Sequence, residues 1–216
     1  MSETTSTAAT TGSPRLRGDK RAAIIGGALK VFARDGFTRA SIDAIAGESG
    51  VSTRTIYKHF SDKTAIFTAV IADSAAAVAA RESALIEHHL DGVTDSEHVE
   101  PALLAFARAW LSGTTQPDAH RALVRQVNAE AEHLGAEVVS VWWQAGPARV
   151  RSELAARLRH WAEVRLLRID DAERAAVHFS RLVSAMPGPP GASYAAAEQE
   201  DWIAAGVRAF LNGYHA

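Results

Sequence analysis

Apolar residues recur at helical spacing along the chain, and in the N-terminal part they mark short helices. From Ile25 to Phe32 they fall at i, i+3, i+4 and i+7, which places them on one face of an α-helix. Gly36 follows this helix at a position where a positive backbone φ is common. Ser41 and Ser52 are good N-caps for two further short helices, which Gly50 separates. The pattern predicts three helices within the first 64 residues.

The remaining residues show the same periodicity, without the strict alternation that marks a β-strand. Ser61 and Asp62 begin a long alanine-rich helix that we expect to end near His89. Prolines at first helical positions, acidic residues and a Pro-Gly segment mark the limits of the later helices. These are expected at residues 101–112, 117–134, 136–145, 147–164, 172–186 and 198–212. The chain is therefore predicted to be all-α, with about nine or ten helices.

The second and third helices have the features of a helix-turn-helix that is braced by the first. This motif needs a small residue at a sharp turn, apolar residues between its two helices, and a polar outer face on the second helix. Gly50 provides the turn, and Ile45 and Ile56 are apolar positions between the helices. The polar residues from Thr53 to His59 include hydroxyl groups and the guanidinium of Arg54, which suit phosphates and base edges. We predict that this third helix enters the major groove of DNA.

The distribution of charge agrees with a DNA-facing N-terminal part. The whole chain has a net charge of −2. Residues 1–64 hold ten Lys and Arg against six Asp and Glu, a net charge of +4, and the rest holds 13 against 19, a net charge of −6. All four lysines lie in the first part. A basic end and an acidic body indicate that the N-terminal end faces a polyanion.

The helix-turn-helix segment resembles the TetR (TetR/AcrR) family of transcriptional regulators over about 45 residues. The matching positions are Phe32, Gly36, Phe37, Ser41, Ile42, Ile45, Ala46, Gly50, Val51, Ser52, Tyr57, His59, Phe60, Ser61 and Lys63. Arg54 stands where the family often has glycine, a difference that bears on which base is read. The resemblance implies a homodimeric regulator, most often a repressor, that binds a palindromic operator in double-stranded DNA. It also implies that a small, mainly apolar effector releases the protein from this operator.

The resemblance assigns roles to single residues of the DNA-binding segment. Tyr57 and Lys63 correspond to the family's contacts with the phosphate backbone. Thr53, Arg54 and His59 are the candidates for contact with bases. The full set of expected DNA contacts is Thr38, Ser41, Ser52, Thr53, Arg54, Thr55, Tyr57, Lys58, His59 and Lys63. In the alternative, Tyr57 is largely a core residue and His59 is a partly buried cap.

We expect three parts along the chain. Residues 1–18 form a flexible N-terminal arm, residues 19–64 form the three-helix helix-turn-helix DNA-binding domain, and residues 65–216 form a helical bundle for ligand binding and dimerisation. Several tryptophans fall in the helices where family members enclose an inducer pocket. The pocket residues that we expect are Trp110, Arg125, Trp142, Trp143 and Trp161.

The last two helices carry apolar stripes, and in the family these helices pair with their symmetry mates. A buried stripe on a terminal helix needs a partner surface. The expected dimer interface consists of Phe179, Leu182, Val183, Met186, Trp202 and Phe210. In the alternative, both helices pack within their own chain.

Other classes of function have weak support in the sequence. There is no cysteine, which excludes a disulfide framework, a thiolate nucleophile and a cysteine-based zinc site. Glu130 and His133 have the spacing of a di-iron motif, but a second such motif is absent. The histidines His88, His89 and His98 lack a fixed metal-binding spacing.

We therefore expect no cofactor, no metal and no enzyme activity. A DNA-binding regulator without a ligand and a helical-bundle enzyme are the alternatives. The first 14 residues lack the apolar region of a secretory signal, so we expect no such signal there, and we expect no apolar run of membrane-spanning length. The protein is thus predicted to be cytoplasmic, with no membrane partner.

Overall fold

The computed structural model describes residues 14–112, 118–130, 134–184 and 194–214. In these ranges the chain forms ten helices and no β-strand, so the all-α prediction is confirmed. The helices are α1 (Pro14–Arg39), α2 (Ile42–Ser49), α3 (Thr53–Tyr57), α4 (Lys63–Leu90), α5 (Ser96–Leu111), α6 (Asp118–Ala129), α7 (Ala136–Ala145), α8 (Pro147–Glu163), α9 (Ala172–Ser184) and α10 (Ala196–Tyr214).

Two serine caps and one glycine set the limits of the short N-terminal helices. The Ser41 hydroxyl oxygen accepts a hydrogen bond from the Ala44 amide (3.1 Å), which begins α2. Ser52 begins α3 in the same way, through the Thr55 amide (3.2 Å). Between them, Gly50 ends α2 with φ 64° and ψ 29°, a left-handed conformation that glycine adopts at little cost. The structure therefore contains the predicted helix-turn-helix.

The structure explains why two positions of α1 are occupied by glycine. A Cβ at Gly27 would clash with the Ser49 hydroxyl and lie 2.8 Å from the Ser49 amide nitrogen, because α1 and the end of α2 pack closely. Gly36 has φ 80° and ψ 167°, a conformation nearly restricted to glycine, and it kinks α1 before its last residues. The positive φ predicted there is confirmed. Gly26 faces open space, and nothing in the structure explains it.

Helix α4 connects two hydrophobic cores. Its first half packs with α1–α3 in the N-terminal core, which also takes in Leu123 and Val127 of α6 and Val138 of α7. Its second half packs with α5 and α8–α10 in the C-terminal core, around Trp161 and Phe179. An 18-residue window of α4 has a mean hydropathy of 1.4 and meets the length and composition criteria for a membrane span, contrary to the sequence-based expectation. Its position between two cores accounts for this apolar composition.

Two helices begin five residues earlier than predicted. Helix α1 begins at Pro14, so residues 14–18, which were assigned to a flexible arm, are helical. Residues 1–13 lie outside the described residues. Helix α5 begins at Ser96, five residues before its predicted start, because the Asp95 carboxylate caps it by accepting a backbone hydrogen bond of 2.9 Å.

Candidate nucleic-acid interface

The outer face of α3 carries a row of exposed side chains. Arg54, Tyr57 and Lys58 are exposed, and 58% of the Tyr57 surface is accessible. Ile56 and Phe60 face the other way and are buried in the N-terminal core. The helix ends two residues earlier than predicted, with Lys58 as its C-cap. The exposure of Tyr57 is inconsistent with the alternative in which this side chain is largely core.

The other predicted residues of this segment lie at the edge of the exposed row. Thr53, Thr55 and His59 are half-buried. The Thr55 hydroxyl lies 2.9 Å from the hydroxyl of Ser52, so the two share a hydrogen bond at the start of α3. Ser41 is exposed at the start of α2. The hydroxyl groups of Ser41, Ser52 and Thr55 therefore already take part in hydrogen bonds at the starts of α2 and α3.

Lys63 joins the start of α4 to the end of α1. Its ammonium donates hydrogen bonds to the backbone oxygens of Thr38 (3.3 Å) and Ala40 (3.0 Å). It also lies 4.7 Å from the centre of the Phe37 ring. An ammonium has three N–H donors, so one remains for an anion. The structure thus holds a cation in a fixed position where α1 and α4 meet.

Helix α6 contacts α1 through two hydrogen bonds that the sequence did not predict. The Thr38 hydroxyl donates to the Glu130 carboxylate (3.1 Å), next to the end of α6. The Gln126 side-chain amide donates to the backbone oxygen of Phe32 (2.6 Å). Each bond joins residues more than 90 positions apart, so local sequence patterns carry no signal for it.

A cavity of about 380 Å³ lies among α4, α5, α6, α7, α8 and α9. Trp110, Trp142 and Trp143, three of the expected pocket residues, line it. The other two assignments are wrong. Trp161 is fully buried in the C-terminal core, and Arg125 is exposed and lies outside the lining. The polar lining residues include Glu82, His120, Arg151, Ser180, Arg181 and Ser184.

His120 is a polar residue of this cavity that the sequence interpretation missed. Its Nδ1 lies 3.0 Å from the Ser74 hydroxyl of α4. Burial and, to a smaller extent, the positive charge of Arg81 lower the pKa of His120 below its ordinary value. The ring is therefore neutral at pH 7. A single histidine among apolar residues looks the same in sequence whether it faces a core or a cavity.

Helices α9 and α10 cross at close range. A Cβ at Gly206 of α10 would clash with the backbone oxygen of Leu182 in α9, so glycine is required for this crossing. Leu182 and Trp202 remain exposed, with 38% and 41% of their surface accessible. Side chains that contact a partner subunit are exposed in the isolated subunit, as these two are.

Three residues assigned to the dimer interface lie elsewhere. Phe179, Val183 and Phe210 are buried in the C-terminal core of their own chain, where a partner subunit cannot reach them. For these three the alternative of packing within the chain is correct. Met186 lies outside the described residues.

Two family models match the chain. The model described as "Bacterial regulatory proteins, tetR family" matches residues 24–70. The model described as "AefR-like transcriptional repressor, C-terminal domain" matches residues 101–216, which is more than half of the chain. A comparison with curated proteins gives no match.

Solved structures with this fold match nearly the whole chain. A structure described as a TetR-family transcriptional regulator from Mesorhizobium loti has a TM-score of 0.82 and 24% identity, with 93% of this chain and 98% of that chain covered. The flavonoid-responsive regulator FrrA has a TM-score of 0.68 and 27% identity, with 92% and 98% covered. A regulator from Saccharomonospora viridis in complex with choline has a TM-score of 0.60 and 20% identity, with 90% and 96% covered.

The helix-turn-helix, the second helical body and both family models lead to one assignment. Their combination is that of a transcription factor and not of an enzyme. The chain belongs to the TetR family of bacterial regulators, and it is a DNA-binding regulator of transcription.

Proposed function

We propose that the protein is a homodimeric repressor that binds a palindromic operator and leaves it when a small, mainly apolar ligand enters the cavity. The observation that carries this proposal is the exposed row of Arg54, Tyr57 and Lys58 on a capped helix of a helix-turn-helix. Two subunits related by a twofold axis present two such helices to successive major grooves, about 34 Å apart.

The proposed DNA contacts divide into two kinds. Arg54 reads a base, because its guanidinium is exposed and has the donor geometry that guanine accepts. Thr53 and His59 assist it at the edge of the row. Contacts with phosphates fix the position of the helix without reading sequence. For this role we propose Ser41, Ser52, Thr55, Tyr57, Lys58 and Lys63. Thr38 joins them when a phosphate replaces the Glu130 carboxylate as the acceptor of its hydroxyl.

The proposed dimer uses the outer surface of α9 and α10. Among the described residues of the predicted set, Leu182 and Trp202 are exposed and apolar. Covering such side chains is a common reason for subunits to associate. Residues of α4 and α6 belong to the N-terminal core together with α1–α3, and this packing connects the two proposed parts, residues 19–64 and 65–216. We propose that the dimer acts in the cytoplasm.

The residues that line the cavity are the reason for proposing an aromatic ligand. Three tryptophans, together with Phe106 and several aliphatic side chains, line it, and a mainly apolar lining with a few polar groups is typical of small-molecule sites. The likeness to FrrA, a flavonoid-responsive regulator, supports the same class of ligand.

Helix α6 is the proposed connection between the ligand and the DNA. His120 and Val124 of α6 line the cavity, and Gln126 and Glu130 contact α1. A ligand that displaces α6 would therefore move α1 and the reading helix. The effect requires that the ligand binds the displaced state more tightly than the DNA-bound state.

The test uses DNA fragments selected by the purified protein. Binding of a selected fragment is followed by fluorescence anisotropy while hydrophobic aromatic compounds that raise the melting temperature are added. We expect compounds that stabilise the protein to lower its DNA affinity. Gln126→Leu should weaken this effect without changing ligand affinity, whereas Gln144→Leu, at an exposed position of α7, should leave it intact. Stabilising compounds that leave DNA binding unchanged would contradict the proposal.

A further inference from the structure

We infer that the ligand of the cavity is a flat aromatic anion, such as an aromatic carboxylate or a phenolate, whose charged end lies at Arg151 and Arg181. This inference rests on the proposed ligand-responsive function and adds the shape and the charge of the ligand. Four features of the cavity lead to it, namely its aromatic lining, two arginines, a neutral histidine and the interaction of the carboxylate that lines it among the described residues.

The walls of the cavity favour a planar molecule. Phe106 and Trp110 form one wall, with ring centres 5.8 Å apart and ring planes only 6° from parallel. Trp142 and Trp143 line another side with ring centres 6.3 Å apart and ring planes tilted by 59°, so they present one ring face and one ring edge. Aromatic side chains bind flat rings by stacking or by edge contacts. A volume of about 380 Å³ is sufficient for a molecule of two or three rings.

Arg151 places a positive charge in the lining of the cavity. Its guanidinium lies 5.2 Å from the centre of the Trp143 ring, and the residue lines the cavity. Its Nε is buried and has no hydrogen-bond partner among the described residues. This Nε lies 3.7 Å from the Glu173 carboxylate, with which it forms an ion pair without a hydrogen bond. The terminal nitrogens of this guanidinium have no hydrogen-bond acceptor among the described residues, and they are the donors that a ligand oxygen in the cavity can use.

Arg181 supplies a second positive charge to the same cavity. Its side chain is exposed on α9, and within the described ranges no residue forms a hydrogen bond or an ion pair with it. Guanidinium groups bind carboxylates through paired hydrogen bonds. Two arginines that line one aromatic cavity therefore favour a ligand with an anionic oxygen.

His120 adds a polar contact without adding charge. Its Nδ1 is taken by Ser74, which leaves Nε2 without a partner among the described residues. Because burial keeps the ring neutral, Nε2 suits a hydroxyl or carbonyl group of the ligand. We assign this contact to the uncharged part of the molecule.

A cationic ligand fits the cavity less well. The buried carboxylate in the wall is that of Glu82, and it already interacts with a neighbouring residue. One tryptophan ring, that of Trp143, already has the Arg151 guanidinium beside it. The two guanidinium groups in the lining are positively charged donors, and they favour an anion.

The test compares three probes of the same shape and different charge. They are 2-naphthoate, 2-naphthamide and 2-naphthyltrimethylammonium, and binding to the full-length protein is measured by isothermal titration calorimetry. We expect 2-naphthoate to bind about tenfold more tightly than the amide, since a charge-assisted hydrogen bond contributes that much or more. This preference should fall below about threefold in Arg151→Gln and in Arg181→Gln.

Arg149→Gln is the matched control, because Arg149 lies on the same helix, pairs with Glu153 (2.9 Å) and is outside the cavity lining. It should retain the preference. Circular dichroism checks the fold of Arg151→Gln, since Arg151 also packs on Trp143. Arg181→Gln changes an exposed side chain and gives an independent answer.

Equal binding of the amide, or tighter binding of the ammonium probe, would overturn the inference while the ligand-responsive function stands. The absence of binding by all three probes would also overturn it. In that case, release of a selected DNA fragment by other compounds decides separately whether the proposed function holds.

Discussion

The DNA-reading unit and the ligand-binding body are both helical, but their functional residues are brought together in different ways. In the first, Ser52, Arg54 and Tyr57 fall within six successive positions on one short helix and its cap. In the second, the cavity wall takes its residues from six helices, α4 to α9. A short motif therefore specifies the first site, whereas only the tertiary fold specifies the second.

This difference also determines what a substitution does. The reading helix presents its functional side chains to solvent, so a change there alters DNA binding while the fold remains. The C-terminal body depends on close backbone crossings, so a small added group there alters the fold. The predictions below test this contrast, beginning with the largest expected effect.

Gly206→Ala should have the largest effect on stability. The added methyl group meets the backbone oxygen of Leu182, and α9 and α10 must separate to accommodate it. We expect the free energy of unfolding, measured by urea denaturation, to fall by about 3 kcal/mol. Gly213→Ala, in open space on the same helix, should change it by less than about 1 kcal/mol. Equal stability of the two variants would show that the crossing is not constrained.

Gly27→Ala should have a smaller effect, at the corresponding close contact of the N-terminal unit. The new Cβ meets Ser49, so we expect a loss of about 2 kcal/mol in the free energy of unfolding. Its neighbour Gly26 faces open space, and Gly26→Ala should instead gain about 0.5–1 kcal/mol from helix propensity. The two adjacent substitutions should thus change the free energy of unfolding in opposite directions. A change in the same direction would contradict the packing of α1 on α2.

The sequence was sufficient for the fold of the DNA-reading unit because its determinants are local. Ser41, Gly50 and Ser52 are helix caps and a turn, and each acts on residues within four positions. The long helix α4 was also predictable from its apolar periodicity. Helix α8 was predictable because a proline occupies its first turn.

The cavity and the dimer surface were less predictable because an apolar pattern shows burial without showing what covers the residue. Phe179 and Leu182 belong to one stripe, yet the first is in the core and the second is exposed. Trp161 and Trp143 differ in the same way. The contact of Thr38 with Glu130 depends on the packing of α6 beside α1, which no local pattern encodes.

Lys63→Ala should weaken binding to every DNA sequence by a similar factor. Loss of one phosphate contact in each subunit should lower affinity and reduce the slope of log K against log salt by about 1 per subunit. Anisotropy titrations at several salt concentrations measure this slope. Lys30→Ala is the control, because Lys30 is exposed and pairs with Glu48 (3.1 Å). An unchanged slope in Lys63→Ala would remove this residue from the interface.

The smallest predicted effect is a pH dependence of stability. The pKa of His120 is lowered in the folded state, so protonation favours unfolding. The contribution of the neutral His120 ring to the free energy of unfolding should be fully present above the ordinary histidine pKa of 6.5, and it should decrease as the pH falls below that value. The pKa of His89 is lowered by burial and by His88, and it contributes in the same direction.

Melting temperatures between pH 5 and pH 8 test this dependence. His120→Gln should flatten the profile in part, and a double variant with His89→Gln should flatten it further. A profile in His120→Gln with the slope of the unaltered protein would show that this ring is not buried in its neutral form.

The most direct test of the central claim is the DNA sequence that the protein selects from a random pool, compared with the sequence selected by Arg54→Ala. The account predicts a palindromic site with two half-sites about one helical turn apart, and a loss of preference at one base pair per half-site in the variant. Tyr57→Phe, which removes a proposed phosphate contact, should select an unchanged site with lower affinity. An identical site for Arg54→Ala, or no enriched site for the unaltered protein, would contradict the assignment of α3 as the reading helix.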